Sequence, residues 1–475
     1  MRKLKIGLAG LRHGNFPGDM RGVFERCREE FIRLGAEMGF EAFVWPEPLL
    51  TESEVHAAAA GLRDKGIDMV MALNCAFSDG RYIEILGKSA DFIGLWAVPE
   101  PCDGGRLPLN SLCGMHMNNS ILKEYVKDPR IKSKWFFGYT GDPLFAERFR
   151  ITVKALTALV NMRGSKLGLI GGIAAGFKNQ YYDERDVARR FGIKVDCSLE
   201  FSDIKNLALS YPDEDIRELG EELRRGYAGI DSLSGQKFST MVRIYKAYAD
   251  LAMQNNFSAL AVSCWPRFRR EMDVVACASI GRLNDDGIVT ACEGDVYGAV
   301  TQYAMSLLSG EPALLMDIVR LDETDESVLL WHCGIGCERL ASDEGVCLRC
   351  HSNRSPKPGG GFAESAPVAG MIFGPFEGTA ARFTHDGGDL FVMTGRFNKQ
   401  GKPVYDGSGG WMADLMLAGR SISARDLLST LMETGMQHHV CVGKGAFGAE
   451  LMELAAWLGC GHIGCVPYTD YLESR

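Results

Sequence analysis

Two acidic residues stand at the ends of apolar runs where a buried strand would deliver them. Ile288-Val-Thr-Ala-Cys-Glu293 closes on a carboxylate before Gly294, and Ala313-Leu-Leu-Met-Asp317 repeats the pattern 24 residues later. That separation suits one strand–helix–strand unit, so both acids can face one cleft. Asp295, just before an apolar stretch, is placed to cap a helix. A carboxylate ending a single strand is often only a cap or an ion-pair partner; two in consecutive elements weigh against that.

The nine histidines add nitrogen donors. His13, His56, His116, His385 and His462 stand alone and read as surface or structural residues. His332 ends the apolar run Val328-Leu-Leu-Trp331, and His438-His439 open another apolar run. Neighbours on a strand point to opposite faces, so only one of that pair can enter a given cleft.

Two carboxylates and an imidazole with open positions suit a hard divalent cation such as Mn²⁺. Such a cation can chelate vicinal oxygens of an open-chain sugar and stabilise an enediolate. A carboxylate beside it can carry a proton between the adjacent carbons. That is the chemistry of aldose–ketose isomerisation. Two other functions remain open on these residues: a non-catalytic sugar-binding or sensor protein, and an epimerase using the same intermediate.

The elements that must position these residues follow from periodicity. Strands at Leu4–Leu11, Glu41–Trp45, Asp68–Asn74 and Asp91–Val98 alternate with helical patterns, which implies βαβ units and a parallel sheet. A long helix spans about Leu144–Met162. The alternation then restarts with strands at Lys166–Gly172, Lys194–Glu200, Ala259–Trp265 and Ile288–Gly294. Beyond residue 310, closely spaced runs at Leu314–Leu321 and Val328–Cys333, a Gly/Pro loop at Asn353–Phe362 and alternation through Val368–Phe397 predict antiparallel pairing. One more strand, His439–Val442, lies between helices at Ala424–Thr434 and Phe447–Leu458. The expected class is α/β. Two Rossmann-like parallel-sheet domains (1–142 and 143–310, the second carrying Glu293) precede a β-rich third (311–475) carrying Asp317 and His439.

A net charge of −9 disfavours a nucleic-acid partner, because no basic excess neutralises phosphates. No apolar run reaches the roughly 18 residues of a membrane span. The apolar run after Met1-Arg-Lys is too short for a secretory leader. Fifteen cysteines scattered through apolar strands suit a reducing compartment, so a cytoplasmic location is expected.

Ser263-Cys-Trp-Pro266, Ala291-Cys-Glu-Gly-Asp-Val-Tyr-Gly298, Met316-Asp317 and Leu330-Trp-His-Cys-Gly334, taken in order, resemble motifs of the L-fucose and L-arabinose isomerases. Leu95-Trp-Ala-Val-Pro-Glu-Pro101, Gly105-Arg-Leu and Leu109-Asn-Ser-Leu-Cys-Gly114 resemble that family's first-domain motif. The resemblance implies that Glu293 and Asp317 are metal ligands and the acid/base pair, with His439 the third ligand. His332 matches an extra histidine ligand of the arabinose isomerases, so it is expected at the substrate end of the site or as a fourth ligand. Hexamers are common in the family, with a neighbouring copy completing the site; that implies substrate contacts from Arg12, Trp96 and Trp411. Pro266-Arg-Phe-Arg-Arg270 departs from the relatives. Some of these isomerise a sulfonated hexose, sulfoquinovose, and Arg267 is the guanidinium expected to meet such an anion; a solvated helix start is the plainer reading.

Two other patterns carry less. Cys333-x3-Cys337-x9-Cys347-x2-Cys350-His351 suggests zinc, but its first spacing is loose. Gly168-Leu-Ile-Gly-Gly-Ile-Ala-Ala-Gly176 lacks the dinucleotide spacing and reads as a tight strand-to-helix turn or part of a sugar cleft.

Overall fold

The computed structural model describes every residue except 14–21, 265, 357–361, 385 and 473–475. Trp265 of the Ser-Cys-Trp-Pro motif, His385 and the tip of the Gly/Pro loop therefore lie outside the described residues. The chain forms two compact units, Met1–Val160 and Asn161–Arg475.

The first unit is built on a five-stranded parallel sheet in the order Glu41–Val44, Lys5–Leu11, Met69–Asn74, Phe92–Ala97, Lys132–Phe137. Met69–Asn74 and Phe92–Ala97 are buried along their whole length, as central strands covered on both faces must be. The helix Glu52–Asp64 starts where the sequence provides for it: Thr51 and Glu54 satisfy each other's backbone N–H in a capping box.

The second unit joins two sheets. Its parallel sheet has the order Lys194–Asp196, Lys166–Ile170, Ala259–Val262, Thr290–Ala291. Its antiparallel part closes on itself. Ser408–Leu417 pairs with Ser327–His332, then follow Ala313–Asp322, His439–Lys444, Phe376–Phe383 and Asp389–Phe397, which pairs back to Ser408–Leu417. The result is a six-stranded barrel, extended by Cys347–Pro356 and Phe362–Ile372. Two parallel α/β sheets followed by antiparallel β structure is the class read from the sequence.

The helix Val296–Ser309 links the parallel sheet to the barrel and packs on both. It is apolar nearly all round because neither side meets water. Among the described residues no helix is long and apolar enough to cross a membrane.

Three local readings need correction. The strand expected at Ile288–Gly294 is paired only over Thr290–Ala291, because Glu293 adopts a left-handed φ of 63° and leaves the ladder. The strand expected over Lys194–Glu200 ends at Asp196. The loop placed at Asn353–Phe362 is strand up to Pro356 and again from Phe362.

Candidate functional site

The antiparallel pairing sets the barrel side of the site. Asp317 sits opposite Trp331 on one neighbouring strand and opposite His439 on the other. Ser327–His332 and His439–Lys444 run in the same direction on either side of Ala313–Asp322, and the register brings the end of one and the start of the other beside Asp317. Glu293 arrives from the parallel sheet, at the carboxyl end of its strand where such sheets bind ligands.

Glu293 reaches the site at a cost. A non-glycine residue in the left-handed region is strained by about 1–3 kcal/mol, and such strain clusters at functional positions. Gly294 makes the turn possible: a Cβ there would lie 2.3 Å from the Gly172 carbonyl oxygen. The Gly168–Gly176 segment, with Gly171 and Gly172 both at φ 77°, is thus a tight turn whose Ala174 N–H donates to the Glu293 carbonyl.

His439 is the hub. It is 1% exposed, with Nε2 3.3 Å from Glu293 Oε2 and 3.7 Å from Asp317 Oδ1. Its other nitrogen, Nδ1, lies 2.9 Å from Asp295 Oδ2, and since an ionised carboxylate only accepts, Nδ1–H donates there. Asp295 in turn caps the helix through Gly298 N–H and accepts from Arg382 at 2.6 and 3.0 Å. Asp295 and Arg382 are both fully buried. The carboxylate–imidazole pair fixes the ring and leaves Nε2 aimed at the two acids, the arrangement that metal-binding histidines use.

The loop after the glycine turn covers the histidines. The Gln180 amide is 3.1 Å from His439 Nδ1, and Asn179 Nδ2 is 2.9 Å from His438 Nδ1. With Nδ1–H already a donor, the Gln180 amide oxygen is the atom that belongs beside it.

Electrostatics follow from these contacts. Burial lowers the His439 pKa, but its bonds to Asp295 and Glu293 outweigh burial and raise it to about 9. Burial pushes Asp295 up, and Arg382 and His439 more than reverse this, holding it far below the usual range. Burial also raises Glu293, but the His439 hydrogen bond and the nearby imidazoles leave it below normal. His332 and His438 are lowered, chiefly by burial, and so are held neutral with lone pairs available.

The side chains fit a divalent cation. The ligating atoms of Glu293, His332 and His439 lie within 4.8 Å of one another, as do those of Asp317, His438 and His439. Asp317 Oδ1 and His332 Nδ1 are buried without a hydrogen-bond partner, and orphaned buried polar atoms at one locus require an ion or water to satisfy them. Carboxylate and imidazole donors with open positions suit Mn²⁺ and similar ions. Both members of the adjacent pair offer a nitrogen near Asp317; His439 is buried against both acids, whereas His438 is only partly shielded from solvent.

Glu293 with His332, and Asp317 with His438, thus form two groups that share His439. Other expected contacts do not take that form. Trp96 is fully buried in the N-terminal unit, donates Nε1–H to Gly138 and packs 4.8 Å from Phe145, so it is a core residue with no edge for a sugar. Trp411 is 2% exposed; it donates to Pro403, and Lys402 and Arg320 lie over its ring. Arg267 forms an i,i+4 pair with Glu271 and lies over Phe201. Arg12 follows the first strand of the N-terminal unit, its amide bonded to Leu49. The Cys333/Cys337/Cys347/Cys350 set is not gathered among the described residues: Cys337 donates to Asp285 and Cys347 to Leu348.

Asp295, Arg382 and Gln180 were not read as site residues. Asp295 was visible only as a cap. Its position two residues after Glu293 was the available signal, because one turn at Gly294 brings both carboxylates to one ring.

No family model matches the chain. It is similar to proteins named sulfoquinovose isomerase. That of Priestia aryabhattai is 28% identical over 425 residues, 87% of this chain and 89% of the relative. That of a Clostridium species is 29% identical over 266 residues, 56% of this chain and 59% of the relative. That of Alkalicoccus urumqiensis is 27% identical over 292 residues, 60% of this chain and 64% of the relative. These relatives and the motif resemblance agree on a sugar-isomerase branch.

Proposed function

We propose that this chain, related along most of its length to sulfoquinovose isomerases, is a divalent-metal-dependent aldose–ketose isomerase. Its substrate is the open-chain form of an anionic sugar, sulfoquinovose or a close analogue. The observation that carries the reading is the convergence of Glu293 and Asp317 on His439 Nε2, with Asp295 locking the opposite nitrogen.

Glu293, Asp317 and His439 would hold the cation, with His332 as a fourth donor. A bound Mn²⁺ supplies Lewis acidity that polarises the carbonyl and its neighbouring hydroxyl. Of Glu293 and Asp317, one would take the proton from the first carbon and the other would serve the oxygen. The product forms through an enediol(ate) when the proton returns to the adjacent carbon. Asp295 and Arg382 do not touch the sugar; they fix the His439 ring so that neither acid must reorganise.

Arg12, from a neighbouring copy, and Arg267 are the guanidinium groups proposed to meet the sulfonate. The assembly is a homo-oligomer, hexameric by resemblance, and works in the cytoplasm, in keeping with fifteen free cysteines.

The test is an aldose panel assayed with added Mn²⁺, including sulfoquinovose, glucose and L-fucose, with products separated chromatographically. Ketose formed preferentially from the sulfonated sugar is expected. Binding without conversion would make the chain a sensor, and a C2 epimer as sole product would make it an epimerase; either result overturns the proposal.

A further inference from the structure

Beside the isomerase centre lies a group of side chains that the proposed reaction does not use. Ala261 and Ala291 pair on adjacent parallel strands, and Cys264 and Cys292 follow just beyond those paired ends. Cys264 is 3% exposed and Cys292 fully buried. Their sulfurs and a Glu293 carboxylate oxygen lie within 4.8 Å of one another. A third cysteine nearby in sequence, Cys277, is 7% exposed. Cys277 opens the helix Cys277–Asp285.

A core that needed only small apolar side chains here would have no reason to gather two thiols against a carboxylate. Two sulfurs with one oxygen is a donor set for a thiophilic divalent cation, whereas the oxygen-and-nitrogen set around His439 is not. A coordinating thiol gives up its proton on binding.

We propose that Cys264, Cys292 and Glu293 form a second cation site that takes Zn²⁺ or Cd²⁺. It shares Glu293 with the isomerase centre. Because one carboxylate serves both sites, a thiophilic ion draws Glu293 away from His439. Zn²⁺ is then an inhibitor of Mn²⁺-supported turnover rather than a substitute for Mn²⁺; this consequence alone rests on the proposed function.

The test uses the full-length metal-free chain titrated with Cd²⁺, reading the ultraviolet thiolate-to-cadmium charge-transfer band. A band saturating at one ion per chain is expected. Cys264→Ser and Cys292→Ser should each weaken it more than tenfold, and Asp317→Asn should leave it intact. Subtracting the Cys264→Ser titration removes any signal from the exposed thiols of Cys102, Cys113, Cys197 and Cys465. If Cys292→Ser does not fold, Cys264→Ser with Glu293→Gln carries the comparison. A wild-type band no stronger than that of Cys264→Ser overturns the inference. In the activity arm, Zn²⁺ should inhibit wild type at least tenfold more strongly than Cys264→Ser, and equal inhibition overturns the shared-carboxylate consequence. Absence of turnover in every protein, with the band present, would sink the isomerase reading and leave the thiolate site standing.

Discussion

Replacing Asp295 by Asn separates two effects of one carboxylate on the metal site. In wild type the carboxylate accepts from His439 Nδ1 and helps raise the ring's pKa to about 9. At pH 7 a cation must therefore displace a proton held about two pH units too tightly, which costs about 2.7 kcal/mol. Above pH 9 that cost is gone, and only the carboxylate's support of ligand basicity and orientation remains. Loss of such a partner typically weakens metal binding about 10–100-fold. The variant amide still caps the helix, since Asn and Asp are equivalent there, but it lowers the ring's proton affinity. The ratio of variant to wild-type Kd for Mn²⁺ should thus be about 10–100 near pH 9.5 and shrink to within a few-fold near pH 6.5. Chelator-buffered Mn²⁺ titrations at several pH values measure it. A ratio that stays constant with pH, or no weakening at high pH, would refute the assigned linkage. The same change leaves Arg382 buried and unpaired, a loss of about 3–5 kcal/mol in urea unfolding. Adding Arg382→Met should recover part of it.

Further outcomes follow from the same contacts. Glu293→Gln and Asp317→Asn should lower kcat by at least about 10³-fold while far-ultraviolet circular dichroism stays unchanged, since each is isosteric and removes a ligand charge. Without metal, His439 contributes stability while protonated; its folded-state pKa is raised, so that contribution is present below about pH 6.5 and lost as pH rises through about 9. Urea midpoints of the metal-free chain, compared with those of His439→Gln, read this window. Gly294→Ala forces a Cβ to 2.3 Å from a carbonyl oxygen at a φ of 72°, so thermal stability should drop by the equivalent of about 2–4 kcal/mol. Trp96→Phe removes a buried hydrogen bond and part of a ring, costing about 1–3 kcal/mol with KM unchanged. A large KM change there would restore a substrate role to Trp96.

The parallel sheets and the two acids were legible because buried strands are continuous apolar runs and a charge closing such a run is conspicuous, although the strand of Asp317 runs on to Asp322. Helices with clear caps, such as Ala424–Thr434, were found with their bounds. The barrel's closure was not legible. Its closing strand, Ser408–Leu417, begins on Ser-Gly-Gly, which reads as a turn. Glycine is needed at 409 because a Cβ there would lie 2.3 Å from the Leu330 carbonyl, a constraint set by a strand about eighty residues away. Nor could spacing show that Arg382, next to last in the strand Phe376–Phe383, reaches Asp295; that contact exists only once the barrel packs on the helix Val296–Ser309. Trp96 and Trp411, both buried, show the complementary limit. An aromatic residue in a motif can be a core residue as readily as a sugar platform, and only burial decides between them.

The central claim is that Glu293, Asp317 and His439 hold one cation. The direct measurement is Mn²⁺ bound per chain after equilibrium dialysis, by plasma emission, for wild type and for Glu293→Gln, Asp317→Asn and His439→Gln. One tightly held ion per wild-type chain, with affinity reduced at least tenfold in all three variants, is the expected result. Undiminished occupancy in any one of them would contradict the account.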